Sequence, residues 1–235
     1  MVTFDFYIKA GRLIDRKTNK AVTYKPTPNI SGAMIPEIVI LHDTASGLEM
    51  NGPVAWLTNP AAKASAHFVV GRDGSVVQLA PTNVKTWHAG KSRYKGRANV
   101  NNFSIGIENV NPGWLPSKGN GKTGTFSRGA PTWDATKYGI HQVTDDAHPG
   151  KYYWMSYTVE QIECNIAILR AIKEAYPKVY DIQTHWYISP GRKVDTNPLF
   201  PLQRVRDAIL NNRGPVDIVV PSTAEEILPP HVPLA

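Results

Sequence analysis

At 235 residues, with 42% hydrophobic side chains, the chain suits one large domain or a domain with an appendage. No apolar run approaches the ~18 residues of a membrane span, and the single cysteine, Cys164, excludes an internal disulfide. The net charge of +7 is scattered, with no block of like charges, so it fits either a solvated basic surface or a face for a polyanion. No helix-turn-helix, finger or RNA-binding motif accompanies it, which argues against a nucleic-acid partner.

The N-terminus lacks the basic-then-apolar layout of a secretory signal, so the expected starting compartment is the cytoplasm. Residues 4–24 alternate apolar and polar side chains and predict a small hairpin or two short strands. Pro26, Pro28 and Pro36 break the pattern, so residues 1–35 are expected to form an arm packed on the main domain. Ile38, Val39, Ile40 and Leu41 form a continuous apolar run, which suits a strand covered on both faces. Its carboxyl end delivers His42, Asp43 and Thr44. A short helix is expected over 51–57, with Pro53 near its start.

Residues 65–80 predict a β-hairpin, turning on Asp73-Gly74 as a type I′ pair. A polar loop around Trp87 and His88 follows. Residues 103–110 predict another strand, with Phe103, Ile105 and Ile107 on one face and Ser104, Gly106 and Glu108 on the other. A charge such as Glu108 at mid-strand is costly unless it is paired or faces a cleft. From 112 to 153 the periodicity dissolves, and the stretch is expected to be an inserted loop at the rim of a site. Its histidines, His141 and His148, are expected to be exposed. Its aromatics, Trp114, Trp133, Tyr152, Tyr153 and Trp154, would either stack on a ligand or cover the core.

The clearest helix spans 157–176. Thr158 and Gln161 have capping-box spacing, and Val159, Ile162, Ile166, Leu169 and Ile172 recur at helical intervals. Cys164 lies in this stretch and reads as a small buried hydrophobe. A short strand over 179–183 leads to His185, and a last helix spans 201–211. The proline-rich tail, 213–235, is an appendage without a clear pattern. The order of strands and helices predicts an α/β domain over 36–212, with a mixed central β-sheet flanked by helices.

His185 and Asp195 lie ten positions apart around a Pro190-Gly191 turn, so both side chains can face one point. His42, at the end of the apolar strand, offers a third group. Two imidazoles and a carboxylate suit a divalent metal such as Zn2+. Any one of the three alone would more often be structural.

Five segments, taken together and in this order, resemble the zinc-dependent N-acetylmuramoyl-L-alanine amidases of the type-2 group, relatives of the peptidoglycan recognition proteins. They are V-I-L-H-D-T-A-S from Val39, S-A-H-F-V-V-G-R-D-G from Ser65, W-H-A-G-K-S from Trp87, F-S-I-G-I-E from Phe103, and H-W-Y-I-S-P-G-R-K-V-D-T-N-P from His185. The resemblance implies one Zn2+ held by His42, His185 and Asp195, and hydrolysis of the amide between N-acetylmuramic acid and L-alanine of the peptidoglycan stem. It implies that Glu108 passes the proton and that Lys193 stabilises the developing oxyanion. Trp87, His88 and Ala89 would line the substrate groove. Asp43 and Thr44 would orient the ligands from behind; for His67 a structural hydrogen bond or the same supporting role is expected.

One branch of the family has a tyrosine before the histidine of the second segment. Here that position is Ala66, which puts more weight on Glu108. Some relatives bind peptidoglycan without cutting it, but the pairing of Asp195 with Lys193 is the catalytic arrangement. A lytic, endolysin-like role and the recycling of muropeptides both fit. The insertion and the tail lean towards the lytic one.

Overall fold

The computed structural model describes residues 3–116, 125–127, 132–144, 148, 150 and 153–211. The tail 213–235 and Tyr152 lie outside them. In chain order the strands before the first helix are β1 (Phe6–Lys9), β2 (Arg12–Asp15), β3 (Lys20–Ala21), β4 (Thr23–Tyr24), β5 (Ile30–Ala33) and β6 (Ile38–Asp43). Helix α1 (Asn51–Leu57) precedes β7 (Phe68–Val70), β8 (Val76–Gln78), β9 (Val84–Thr86), β10 (Arg93–Tyr94), β11 (Arg97–Ala98) and β12 (Ser104–Asn109). The next segment holds β13 (Trp114–Leu115), β14 (Thr125–Ser127), β15 (Thr132–Asp134), α2 (Ala135–Tyr138), β16 (Ile140–Gln142) and β17 (Tyr153–Met155). Helix α3 (Val159–Ala175), β18 (Asp181–Thr184), α4 (His185–Ile188) and α5 (Leu202–Leu210) complete the chain.

The central sheet has the order β18-β6-β12-β7-β8-β4. Strands β18, β6, β12 and β7 run parallel, whereas β8 is antiparallel to β7 and β4 is parallel to β8. It is the mixed α/β sheet expected from the sequence. Every residue of β6 is buried, as a strand covered on both faces must be. On one face Val39, Leu41, Ile105, Ile107 and Ile182 pack against α3 through Ile162, Ile166, Leu169 and Ile172. Each such side chain taken out of water contributes roughly 1.5–3 kcal/mol. On the other face Ile38 and Ile40 pack with Ala89, Tyr94, Val100, Phe103 and Ile188. Phe103 thus departs from the expected side of its strand, because it precedes β12 in a short turn.

Helix α3 begins at Thr158, whose hydroxyl accepts the Gln161 N–H at 3.1 Å. The capping box is only half made. The Gln161 amide nitrogen donates instead to the carbonyls of Val70 and Val110 at 3.1 and 3.2 Å, tying the helix to the sheet. The β7–β8 hairpin also differs from the expected two-residue turn. Its loop spans Gly71–Ser75, and Asp73 is not in the left-handed region that a type I′ turn needs. Asp73 Oδ1 accepts from the Ser75 N–H and hydroxyl at 2.9 and 2.5 Å, a side-chain-built turn.

Residues 3–35 supply more than an arm. Strands β1–β3 form an antiparallel meander, β4 is the edge of the central sheet, and β5 pairs with β9. Leu13 is fully buried in the core under α3. The segment expected as a structureless insertion is also partly regular: β13, β17 and β16 form a small antiparallel sheet, and β14 pairs with β15. Strands of two or three residues are too short to leave a periodic signature. Trp133 and Trp154 are buried there, so they cover a satellite core, while Trp114 and Tyr153 are half-buried. Among the described residues no helix is long and apolar enough to cross a membrane.

Candidate metal centre

Three parallel strands end side by side. In register, Glu108 lies beside His42, and Thr184 lies beside Leu41, so His185 follows at the level of His42. Side chains alternate along a strand. His42 therefore shares a face with Ile38 and Ile40, and Glu108 shares it with Ser104 and Gly106. A polar group at the carboxyl end of a central parallel strand is well placed to line a site.

His42 Nδ1, His185 Nδ1 and Asp195 Oδ2 converge there. The two nitrogens are 2.9 Å apart, and the carboxylate oxygen is 2.9 Å from His185 and 3.2 Å from His42. Both imidazoles are buried and Asp195 is largely so. Asp195 reaches them because the Ser189–Lys193 turn folds the chain back, and the Asp195 carbonyl accepts the Trp186 N–H at 2.6 Å. His148 donates from Nε2 to the Val194 carbonyl at 3.0 Å and packs edge-on against Trp154 and Trp186. It is buried, which corrects the expected exposed imidazole: the inserted segment buttresses the strap that carries Asp195. His141 is half-buried.

The donor set fits a cation. His185 Nε2 lies 3.2 Å from the Ala89 carbonyl, an acceptor only, so that nitrogen carries the proton and Nδ1 is a bare lone pair. Arg192 Nη2, 3.3 Å from the same nitrogen, directs its hydrogens to Ala89 O and Ser189 Oγ, both at 2.8 Å. Burial, and next the closeness of the His185 ring, pull His42 down to about 4, so its ring is neutral at neutral pH. Nitrogen lone pairs facing a carboxylate at 2.9–3.2 Å repel unless a proton or a cation sits among them. Their spacing is close to the about 3.3 Å between ligands of a tetrahedral site with 2.0–2.1 Å bonds. Among the described residues, this trio is the group of histidines, cysteines and carboxylates that could hold a metal ion.

The flanking acid is distinctive. Glu108 Oε2 is buried without a hydrogen-bond partner. Burial, then the negative charges of Asp195 and Asp43, push its carboxyl up to about 8, and Lys193 partly offsets this. Lys193, Asp43, Trp114, Trp154 and Asp195 line a cleft of about 220 Å3. Asp43 faces the strap: its two carboxylate oxygens accept from the Tyr157 hydroxyl at 2.5 Å and the Asn197 N–H at 2.9 Å. Burial raises its carboxyl to about 8, and these two donors pull the other way.

Other expected roles are revised by position. Thr44 bonds to Ser46 and to the backbone of Asn111, not to a ligand. His67, by contrast, makes the structural hydrogen bonds expected of it: Nε2 donates to the Val84 carbonyl at 2.8 Å, and Nδ1 accepts the Gly106 N–H at 3.0 Å. Trp87, His88 and Ala89 do not line the cleft. The Trp87 indole N–H is held by Ser31 Oγ at 2.6 Å, the Ala89 side chain is fully buried, and His88 is buried behind His42. The sequence reading passed over Tyr157, Asn197 and Arg192. Arg192 and Asn197, both inside the His185 segment, had a local signal; Tyr157 had none.

Comparison with known proteins places this geometry. The family described as N-acetylmuramoyl-L-alanine amidase matches residues 32–198. The chain belongs to this family. Among curated amidases, it is 31% identical over 145 residues to the 1,6-anhydro-N-acetylmuramyl-L-alanine amidase AmpD of Escherichia coli K12, covering 61% of this chain and 57% of the relative. It is 27% identical over 177 residues to the N-acetylmuramoyl-L-alanine amidase AmiD of the same organism, covering 72% of this chain and 51% of the relative. The chain thus spans little more than half the length of these amidases. A crystal structure of a selenomethionine AmpD derivative superposes with a TM-score of 0.55 at 25% identity, over 80% of this chain and 94% of that one. An AmiD complex with an anhydro-muramyl tripeptide shares the fold at 24% identity, TM-score 0.52, over 85% of this chain and 64% of that one.

Proposed function

We propose that the chain is a zinc hydrolase that cuts the amide between N-acetylmuramic acid and L-alanine, with soluble anhydro-muropeptides as its substrate class. The observation that carries this reading is the meeting of His42 Nδ1, His185 Nδ1 and Asp195 Oδ2 within 3.2 Å of one another, beside a buried carboxyl with a free oxygen. These three residues would hold one Zn2+, which when bound supplies Lewis acidity towards a carbonyl and a water. Glu108 takes a proton from water and gives it to the leaving amine, and its carboxyl oxygen without a protein partner is available for both transfers. Lys193, on the cleft wall, places a cation where charge develops on the carbonyl oxygen. Asp43 holds Asn197, and with it the strap bearing Asp195.

The anhydro-muropeptide class is favoured over intact wall by sequence likeness. The relatives near 31% identity are named for the 1,6-anhydro substrate, whereas an endolysin amidase from Clostridium intestinale shares the fold at 16% identity. The lean towards lysis drawn from the insertion and tail is therefore dropped. The domain reading, an amidase unit over 36–212, is proposed with β1–β4 as part of its fold. The test compares soluble anhydro-muropeptides with intact sacculi, with and without a chelator. The expected result is zinc-dependent release of peptide from the soluble substrate. Chelator-resistant cleavage would remove the metal from the mechanism, and faster cleavage of sacculi would restore the lytic role.

A further inference from the structure

We infer that His88 is a positioning residue of the metal centre, which with Ser104 behind it sets the tautomer of His42 and so directs a lone pair, not a proton, at the metal position. The inference rests on the metal-site reading above and concerns a residue outside the ligand set.

The hydrogen-bond chain can be followed from its far end. The Ser104 hydroxyl donates to the Val100 carbonyl at 2.7 Å, so its proton is spent. His88 Nε2 lies 3.0 Å from Ser104 Oγ and 3.2 Å from the Ser104 carbonyl. Both oxygens can only accept from it, so His88 Nε2 carries the proton. The hydrogen-bond partners of the ring are Ser104 and His42, with no carboxylate among them, so with the proton on Nε2 its Nδ1 is bare. That nitrogen lies 2.9 Å from His42 Nε2. The bond forms only if His42 carries its proton there, which leaves His42 Nδ1 as the lone pair beside His185 and Asp195. A metal-binding histidine usually gives its second N–H to a carboxylate, carbonyl or water. Here the acceptor is an imidazole, itself fixed one bond further back.

The placement is built in. Asn101 Oδ1 accepts the backbone N–H of His88 and Ala89 at 3.2 and 2.8 Å. The ring then lies on β12 where Gly106 leaves room. A Cβ on Gly106 would sit 2.5 Å from His88 Cγ and 2.8 Å from Nδ1. Glycine inside a buried strand is otherwise a loss in packing, so its presence is explained by the ring crossing above it.

The test measures Zn2+ affinity by chelator competition at fixed neutral pH in wild type, His88→Phe and His88→Gln, alongside long-range 1H–15N spectra of the metal-free wild type. Gln offers an oxygen to His42 and an amide N–H to Ser104; Phe offers neither. His88→Phe is expected to bind Zn2+ roughly 10–100-fold more weakly, with His88→Gln recovering most of the loss. The wild-type spectra are expected to show Nε2-protonated rings for both His42 and His88. Equal affinity in wild type and His88→Phe overturns the inference while leaving the metal site standing. No Zn2+ binding by wild type overturns both. Should the variants fail to fold, a His42 that carries its only proton on Nδ1 in the wild-type spectra is enough to reject it.

Discussion

In the proposed mechanism Glu108 and Lys193 act near the same cleft but leave different signatures. Glu108→Gln keeps the shape and removes the proton carrier, so kcat is expected to fall about 10²–10⁴-fold with zinc content unchanged. Lys193→Met removes the cation, with an expected loss of about 10²–10³-fold in kcat and again no loss of metal. Asp195→Ala is different in kind, since both zinc and activity should go; full activity in that variant would sink the site. Glu108 also carries a stability signature. Its folded pKa, about 8, stands above the ordinary value of 4.5. The unfolded chain therefore releases this proton first as pH rises, and the folded form loses stability from about pH 4.5 to about pH 8. In the metal-free protein, Glu108→Gln should lack that part of the slope. Denaturant melts of both proteins at pH 5 and pH 8 would show the gap widening with pH. A gap independent of pH would contradict a buried, proton-holding Glu108.

At the scale of elements, the site depends on packing between β12 and the segment after β9. Gly106→Ala puts a methyl group into the His88 ring. Overpacking of this kind costs typically about 1–3 kcal/mol, and a chemical melt should show it even without metal. The inserted segment makes a second case. His148 bonds to the Val194 carbonyl, one residue before Asp195. His148→Ala leaves the ligands in place but loosens the strap, so metal affinity is expected to weaken several-fold while α3 and the central sheet keep their stability. Unchanged affinity would reduce the insertion to a cover over the satellite core.

For the molecule as a whole, the N-terminal meander behaves as part of the core. Gly11 is held by Gln78 Nε2 and by the Thr82 N–H at 2.7 and 3.0 Å, and its φ of +77° with a crowded Cβ position suits only glycine. Leu13→Ala, deep under α3, should therefore lower the stability of the entire domain by about 2–5 kcal/mol in one transition. Two separate transitions would show that residues 1–35 fold as an independent appendage. The exposed ion pair between Arg16 and Glu174 should matter little, because solvent screens it.

The central strand over 38–43, the α3 pattern, and the pairing of His42 with the His185–Asp195 turn could all be read along the chain. Each has a local cause: an apolar run, a 3.6-residue period, or a proline-glycine reversal. The resemblance of five ordered segments then supplied the chemistry that no single segment carried. The short strands of the insertion and the burial of His148 and Trp154 could not be read that way, because two- and three-residue strands take their stability from partners across the sheet and leave no period. The role proposed for His88 was likewise out of reach. Its neighbours His42, Ser104 and Gly106 are 46, 16 and 18 positions away, and only the parallel register of β6 with β12 stacks them into one hydrogen-bonded line. Local sequence thus determined which chemical groups the chain possesses and most of its regular elements; which nitrogen of each imidazole faces the proposed metal position was decided by long-range packing, because a tautomer is set by whatever the far side of the ring touches.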